Sequence, residues 1–313
     1  MNNLLGFRGV VLLEEVLDGR VIQRRLLDNT LTYFFRTQVI RWLAGKGVYN
    51  AVSNPLGWVL PAYMGIGVGT VGGDQKAVTA LVSEVFRNSL AIVPQMSTTS
   101  TVFRVVFKAE DIAVSISEVM MFEQDASVVL LDSCQVLGTW QTGTLQTLVV
   151  DATDRRQGSG SLKATVTGAG PSNRSFYQDG WANIDCSAAD IALQAWLSVT
   201  DKTKLTSDVT IRLYSVSTAN YWSWTVTLAS LVNGWNFINL LFSAASTTGS
   251  PVTTDIIGFE LLVAKDNGAI LNLDYIRTYQ HAGTGLSRVE VSPVFVKQIG
   301  SILNIVWTVF PVV

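Results

Sequence analysis

The residues best suited to chemistry in this chain are three aromatic side chains set among amides and charges. Tyr177 and Trp181 lie beside Asn173, Arg174, Gln178 and Asp179, and Tyr221 follows Asn220. That mixture suits a sugar, because a pyranose stacks its C–H face on a ring while its hydroxyls take polar partners. The same rings would serve equally well against a neighbouring subunit. Trp222 and Trp224 share one face of a strand that continues to Val226 and Leu228, so they read as core. Trp235, in Gly234-Trp235-Asn236, reads as structural.

Other chemistries find little support. His281 is the only histidine, which excludes a histidine-based triad or a poly-histidine metal centre. Gly65-Ile66-Gly67-Val68-Gly69-Thr70 lacks the Lys-Ser/Thr of a P-loop and the third glycine of a dinucleotide fingerprint. Alternating glycines in a strand instead allow close approach of another backbone. Carboxylates are scattered through turns, and none is placed as the pair a glycosidase needs, so no enzymatic activity is expected. Cys134 and Cys186 form one pair at most, and two buried free thiols fit a reducing cytoplasm better.

Composition narrows the partners. The 22 basic and 24 acidic residues contain no basic run, so nucleic acid is not expected. With 15% of residues charged and 48% apolar, surface covered by neighbouring chains is expected. No apolar run reaches the ~20 residues of a membrane span, so no membrane partner is expected. Arg8, Glu14 and Glu15 interrupt the first apolar runs, so these do not read as a secretory signal.

Strands must position these groups. Residues 6–27 alternate about Asp18-Gly19, the pattern of a tight hairpin. Thr32 can cap a helix that places Phe35, Val39, Trp42 and Leu43 at helical spacing, ends at Gly45 and packs on a sheet. A loop over 46–62 precedes a glycine-punctuated strand at 63–70 and a short helical segment through Arg87, with Glu84 and Arg87 as a helical-turn pair. Strands are expected at 88–94, 101–108 and 115–122. From about residue 131 to 279 the chain changes to Ser/Thr-rich strands at short intervals, as in a β-sandwich. Residues 286–313 then form an alternating strand, a turn at Gln298-Ile299-Gly300-Ser301, and a second strand with no partner nearby in sequence.

Two groups of motifs carry resemblances. Asn29-Thr30-Leu31-Thr32, Leu43-Ala44-Gly45, Met64-Gly65-Ile66-Gly67-Val68-Gly69-Thr70, Leu81-Val82-Ser83-Glu84-Val85-Phe86-Arg87 and Ile116-Ser117-Glu118-Val119-Met120-Met121-Phe122 resemble, in that order, small virion proteins of tailed bacteriophages. Pro293-Val294-Phe295-Val296-Lys297 and Leu303-Asn304-Ile305-Val306-Trp307-Thr308 resemble the closing strands of that group. The resemblance implies a structural component of a tail, baseplate or fibre, made in the host cytoplasm and docked in the virion on other virion proteins and copies of itself.

The second group is Asp132 ahead of Trp140, Gly158-Ser159-Gly160-Ser161-Leu162, Gly234-Trp235-Asn236 and Leu273-Asp274-Tyr275-Ile276. It resembles jelly-roll carbohydrate-binding modules. That resemblance implies host-surface carbohydrate as a partner and a structural calcium ion. Asp274 would be its first ligand and Asp132 a second, with backbone carbonyls of 158–161 helping to supply the roughly 6–8 oxygens calcium takes. Read from the residues alone, Asp274 equally caps a turn or pairs with Lys163. The expected fold class is mainly all-β. Residues 1–133 with 284–313 would form a small antiparallel β domain with one packed helix, and 134–283 an inserted jelly-roll β-sandwich. A purely structural head decoration or clamp, or a cellular carbohydrate-binding protein, are the alternatives.

Overall fold

The computed structural model describes residues 6–31, 63–69, 80–90, 92–96, 101–108, 113–122, 126–168, 173–280 and 285–312. The expected helix over 32–45 and the loop after it lie outside these residues. In chain order the strands are β1 Gly6–Leu17, β2 Arg20–Leu31, β3 Tyr63–Gly67, β4 Glu84–Ser89, β5 Ile92–Met96, β6 Thr101–Phe107 and β7 Val114–Phe122. Next come β8 Ser127–Asp132, β9 Gln146–Asp151, β10 Ser161–Val166, β11 Arg174–Gln178, β12 Ala192–Val199, β13 Val209–Ser215 and β14 Ser217–Val226. The last are β15 Gly234–Leu241, β16 Ser246–Thr248, β17 Ile256–Leu262, β18 Ile270–Gln280, β19 Gly285–Lys297 and β20 Ile302–Val312. The chain divides into two compact units, Met1–Ala126 with Ala282–Val313, and Ser127–His281.

The outer unit is an antiparallel sheet in the order β4-β3-β7-β19-β2-β1-β20-β6-β5. Asp18 (φ 50°) and Gly19 (φ 74°) both take the left-handed conformation that a two-residue hairpin turn requires. One buried face explains the alternation of β1: Val11, Leu13 and Glu15 lie inward, opposite Trp307, Ile305 and Leu303 of β20. Glu15 is the polar member of this row. Its Oε1 accepts the amide of Gln298 at 2.7 Å and the hydroxyl of Ser301 at 2.6 Å, tying the turn at 298–301 to the first strand.

The expected helical segment through Arg87 is instead a strand over Glu84–Ser89. A register shift puts Glu84 opposite Gly67 while Arg87 stands opposite Gly65. Gly65 and Gly67 are two residues apart and share a face, so Glu84 and Arg87 share one too. They still pair, at 2.7 and 2.8 Å, without a helix. Backbone does approach here, as the alternating glycines led us to expect: a Cβ on Gly67 would stand 2.9 Å from the carbonyl oxygen of Ser83, but buried side chains share the space. A Cβ on Gly67 would stand 2.5 Å from Glu118 Oε1, and one on Gly65 3.0 Å from Glu84 Oε1. Glu118 in turn meets Arg288 of β19 at 3.0 and 3.2 Å, with both side chains 0% exposed.

The inner unit is a β-sandwich of the jelly-roll type. One sheet runs β15-β12-β18-β10-β9, with β8 paired to β18, and the other runs β11-β17-β13-β14-β16. Because β8 pairs with β18 from Ser127 to Asp132, that strand belongs to the sandwich and not to the 1–133 segment. The first boundary in sequence was blurred because alternation continues through β8 without a composition change. Phe176, Ile211, Leu213, Trp222, Trp224 and Phe259 meet the inward residues of the other sheet in one core. Cys134 and Cys186 are both free and buried in it, where burial pushes both thiols up.

Candidate functional site

Strand alternation gives the β11-β17-β13-β14-β16 sheet a core face and an outward face. Tyr177 of β11 pairs with Glu260 of β17, and Glu260 pairs with Arg212 of β13. Two residues further along β13, Tyr214 pairs with Tyr221 of β14. These residues therefore share the outward face, with Phe176, Phe259 and Leu213 turned to the core. Tyr177, Tyr214 and Tyr221 form a row, with centroid separations of 6.2 and 5.7 Å and each neighbouring pair edge to face.

One carboxylate organises the row. Glu260, 1% exposed, accepts Arg174 Nε at 2.7 Å, Arg212 Nη1 at 3.1 Å and the hydroxyl of Tyr214 at 2.5 Å. The two guanidinium groups then lie over flanking rings, Arg174 4.0 Å from the Tyr177 centroid and Arg212 4.9 Å from that of Tyr221. Tyr177 also donates its hydroxyl to Asp179 Oδ2 at 2.5 Å. Burial, then that hydrogen bond to a carboxylate, push its pKa up to about 12. The face therefore presents ring surface, unspent guanidinium N–H donors and a carboxylate within a few ångströms, held by internal bonds before any ligand arrives.

Of the three aromatics singled out from sequence, Tyr177 and Tyr221 come together here. Trp181 does not. It packs on the core beside Trp140, with ring centroids 6.2 Å apart. It lies just beyond the end of β11, where alternation no longer sets which way a side chain points. Trp222 and Trp224 lie in the core, and Trp235 donates to Asp154 Oδ1 at 2.6 Å. Tyr214, Arg212 and Glu260 were missed. The signal available was a charge inside an apolar run: Glu260 between Phe259 and Leu261, and Arg212 between Ile211 and Leu213.

Most of the oxygens that the calcium expectation names already have partners. Asp274, 0% exposed, accepts the amides of Arg156 (2.6 Å) and Gln157 (2.9 Å) through Oδ2, so it caps that turn. Its Oδ1 meets no hydrogen-bond donor among the described residues. Burial raises its pKa to about 6, against the pull of the amides of Arg156, Gln157 and Tyr275 and of the Arg155 charge. Asp132 accepts the Cys134 amide at 2.6 Å and the Trp140 indole at 3.0 Å. Lys163 pairs with Asp151, at 3.2 Å. The Gly158 carbonyl accepts Arg155 Nε at 3.0 Å. Among the described residues no group of three or more His, Cys, Asp or Glu is placed to hold a metal. Calcium therefore does not fit these residues as they stand, and no functional step runs through it.

Fold and face define a mainly all-β chain carrying a jelly-roll sandwich with a tyrosine–arginine face. Solved structures similar to it are carbohydrate-binding modules. One is the family 11 module of a cellulosomal cellulase of Clostridium thermocellum, at 10% identity and TM-score 0.36, covering 50% of this chain and 95% of that one. Another is a family 30 module of a cellulosomal cellulase of the same organism, at 14% identity and TM-score 0.37, covering 49% and 97%. At these TM-scores the likeness carries no functional argument. No family model and no curated protein matches the sequence.

Proposed function

We propose that the β11-β17-β13-β14-β16 face binds carbohydrate and does not cleave it. The observation that carries this reading is the tyrosine row with two arginines anchored on Glu260. Rings supply stacking surface and the free guanidinium N–H groups supply donors for hydroxyls. The carboxylates are already engaged, Glu260 by two arginines and a tyrosine and Asp179 by Tyr177, so neither is poised as the acid or nucleophile of a glycosidase. The test is a glycan array followed by titration of the best glycan. Tyr177→Ala and Tyr221→Ala should each weaken binding by roughly tenfold, about 1.4 kcal/mol, while Trp181→Phe leaves it unchanged. No glycan retained on the array, or alanine variants that bind like the parent, would sink the reading.

The wider setting we propose is a tailed-phage virion, with the outer unit docked on the particle and on copies of itself and the sandwich presented to host-surface glycans. Weak single sites would then gain affinity through multivalency. The order of the N-terminal motifs supports this setting. So do the apolar side chains exposed along the outer sheet, Val21, Leu26 and Ile302 among them. Electron microscopy of virions made without the protein should show missing density at the tail or baseplate; intact particles with no density lost would remove this setting and leave the carbohydrate reading standing.

A further inference from the structure

We propose that the carbohydrate taken by the tyrosine–arginine face is acidic, a saccharide whose carboxylate is held by Arg174 and Arg212. The inference rests on the carbohydrate reading above and adds the class of sugar. A neutral sugar brings hydroxyls, each of which donates and accepts, so a face built for it offers both functions. Here the carboxylate acceptor is sealed. Glu260 is 1% exposed, and its two oxygens already accept Arg174, Arg212 and the Tyr214 hydroxyl. The Arg174 and Arg212 side chains bound to it are 42% and 33% exposed. What reaches solvent around the sealed carboxylate is therefore guanidinium, a group that donates and never accepts. Its complement is a ligand group that only accepts.

The geometry fits a carboxylate in that role. Among the described residues the Arg174 side chain makes one hydrogen bond, Nε to Glu260, which leaves both terminal nitrogens of its fork. That pair matches the two oxygens of a carboxylate, and such charge-assisted bonds are roughly twice as strong as neutral ones. Arg174 lies 4.0 Å from the centroid of Tyr177 and Arg212 4.9 Å from that of Tyr221, so a guanidinium stands at each end of the tyrosine row. Contact with the ring and the bond to Glu260 together fix each guanidinium before a ligand arrives. Beside Arg212, Ser223 of β14 and Ser246 of β16 continue the same level across the sheet and supply hydroxyls for the rest of the sugar. Asp179, exposed just past the end of β11, is the carboxylate of the row that opposes an acidic ligand, and it is engaged by the Tyr177 phenol.

The test is an array carrying polygalacturonate, alginate and hyaluronate, each beside its carboxyl-reduced form and among neutral glycans, followed by titration of the tightest pair. The acidic member should bind roughly tenfold tighter than its reduced form, and the gap should narrow in about 1 M NaCl, where exposed charges are screened. Arg174→Gln should lower the acidic-to-neutral ratio several-fold. Asp179→Asn, which keeps an oxygen for the Tyr177 phenol, should raise it. Damage to the fold weakens both members together, so the ratio isolates the charge. Retention of neutral glycans only, equal binding within each pair, or a ratio that Arg174→Gln leaves unchanged or Asp179→Asn lowers would overturn the acidic assignment and leave the carbohydrate reading standing. Retention of no glycan in either form would overturn that reading and this inference with it.

Discussion

Arg288→Met should destabilise the outer unit by about 3–5 kcal/mol, because it leaves the Glu118 carboxylate buried with no compensating charge. The geometry makes this pair unusually exposed to such a loss. Both side chains are fully buried, and Glu118 Oε2 is reached by two arginine nitrogens at 3.0 and 3.2 Å. Its other oxygen accepts only the Ser83 amide, at 3.1 Å, among the described residues. Gly67 and Gly69 leave the space this carboxylate occupies, since a Cβ on either would stand 2.5 or 3.0 Å from its Oε1. Glu290, the second partner of Arg288, is a third exposed and can be solvated after the change. The double variant Glu118→Met/Arg288→Met should recover most of the loss, since replacing both buried charges removes both desolvation penalties. Urea unfolding followed by amide hydrogen exchange in β7 and β19 measures the difference. A single variant within about 0.5 kcal/mol of the parent, the range of ordinary surface changes, would mean the pair is solvated in solution.

The same pair shows what sequence could and could not reveal. Elements with one buried face were legible: β1 and β20 alternate, and Asp18-Gly19 and the 298–301 turn carry their own conformational signals. Tyr177 and Tyr221 were legible because rings beside polar residues in an alternating strand point outward together. Charges buried inside strands were not. Glu84 and Arg87 stand at helical spacing, and only a register shift against β3, invisible in one strand's sequence, explains why they meet in a sheet. Glu118 and Arg288 are 170 positions apart, and no local rule links them. Glu260 needs Arg174 and Arg212 from two other strands, a conjunction that only the strand order creates. The glycines of β3 are the reciprocal signal: they mark where something large must fit, without naming it.

Glu260 offers the second large effect, because one substitution releases three members of the proposed binding face. Glu260→Gln keeps the shape but removes the charge. One end of its amide must then present N–H groups to the donors Arg174, Arg212 or Tyr214, so at least one hydrogen bond is replaced by a donor–donor conflict. Arg174 and Arg212 are 42% and 33% exposed, so solvent screens their ion pairs. The stability cost should therefore stay near 1–2 kcal/mol, below the bare value of a charge-assisted bond. Affinity should suffer more, by roughly 10–100-fold, because the arginines lose the anchor that holds them over Tyr177 and Tyr221 before binding. A ligand-free readout separates positioning from simple damage. Burial, and after it Glu260, hold the Tyr214 phenol well above its ordinary pKa, so removing the carboxylate should bring that pKa down. Ultraviolet titration of Glu260→Gln, with Tyr214→Phe to identify the phenol, should show this shift beside the lost affinity. If Glu260→Gln binds the array-selected glycan as tightly as the parent, Glu260 does not organise the face, and the arginine–tyrosine arrangement is packing alone.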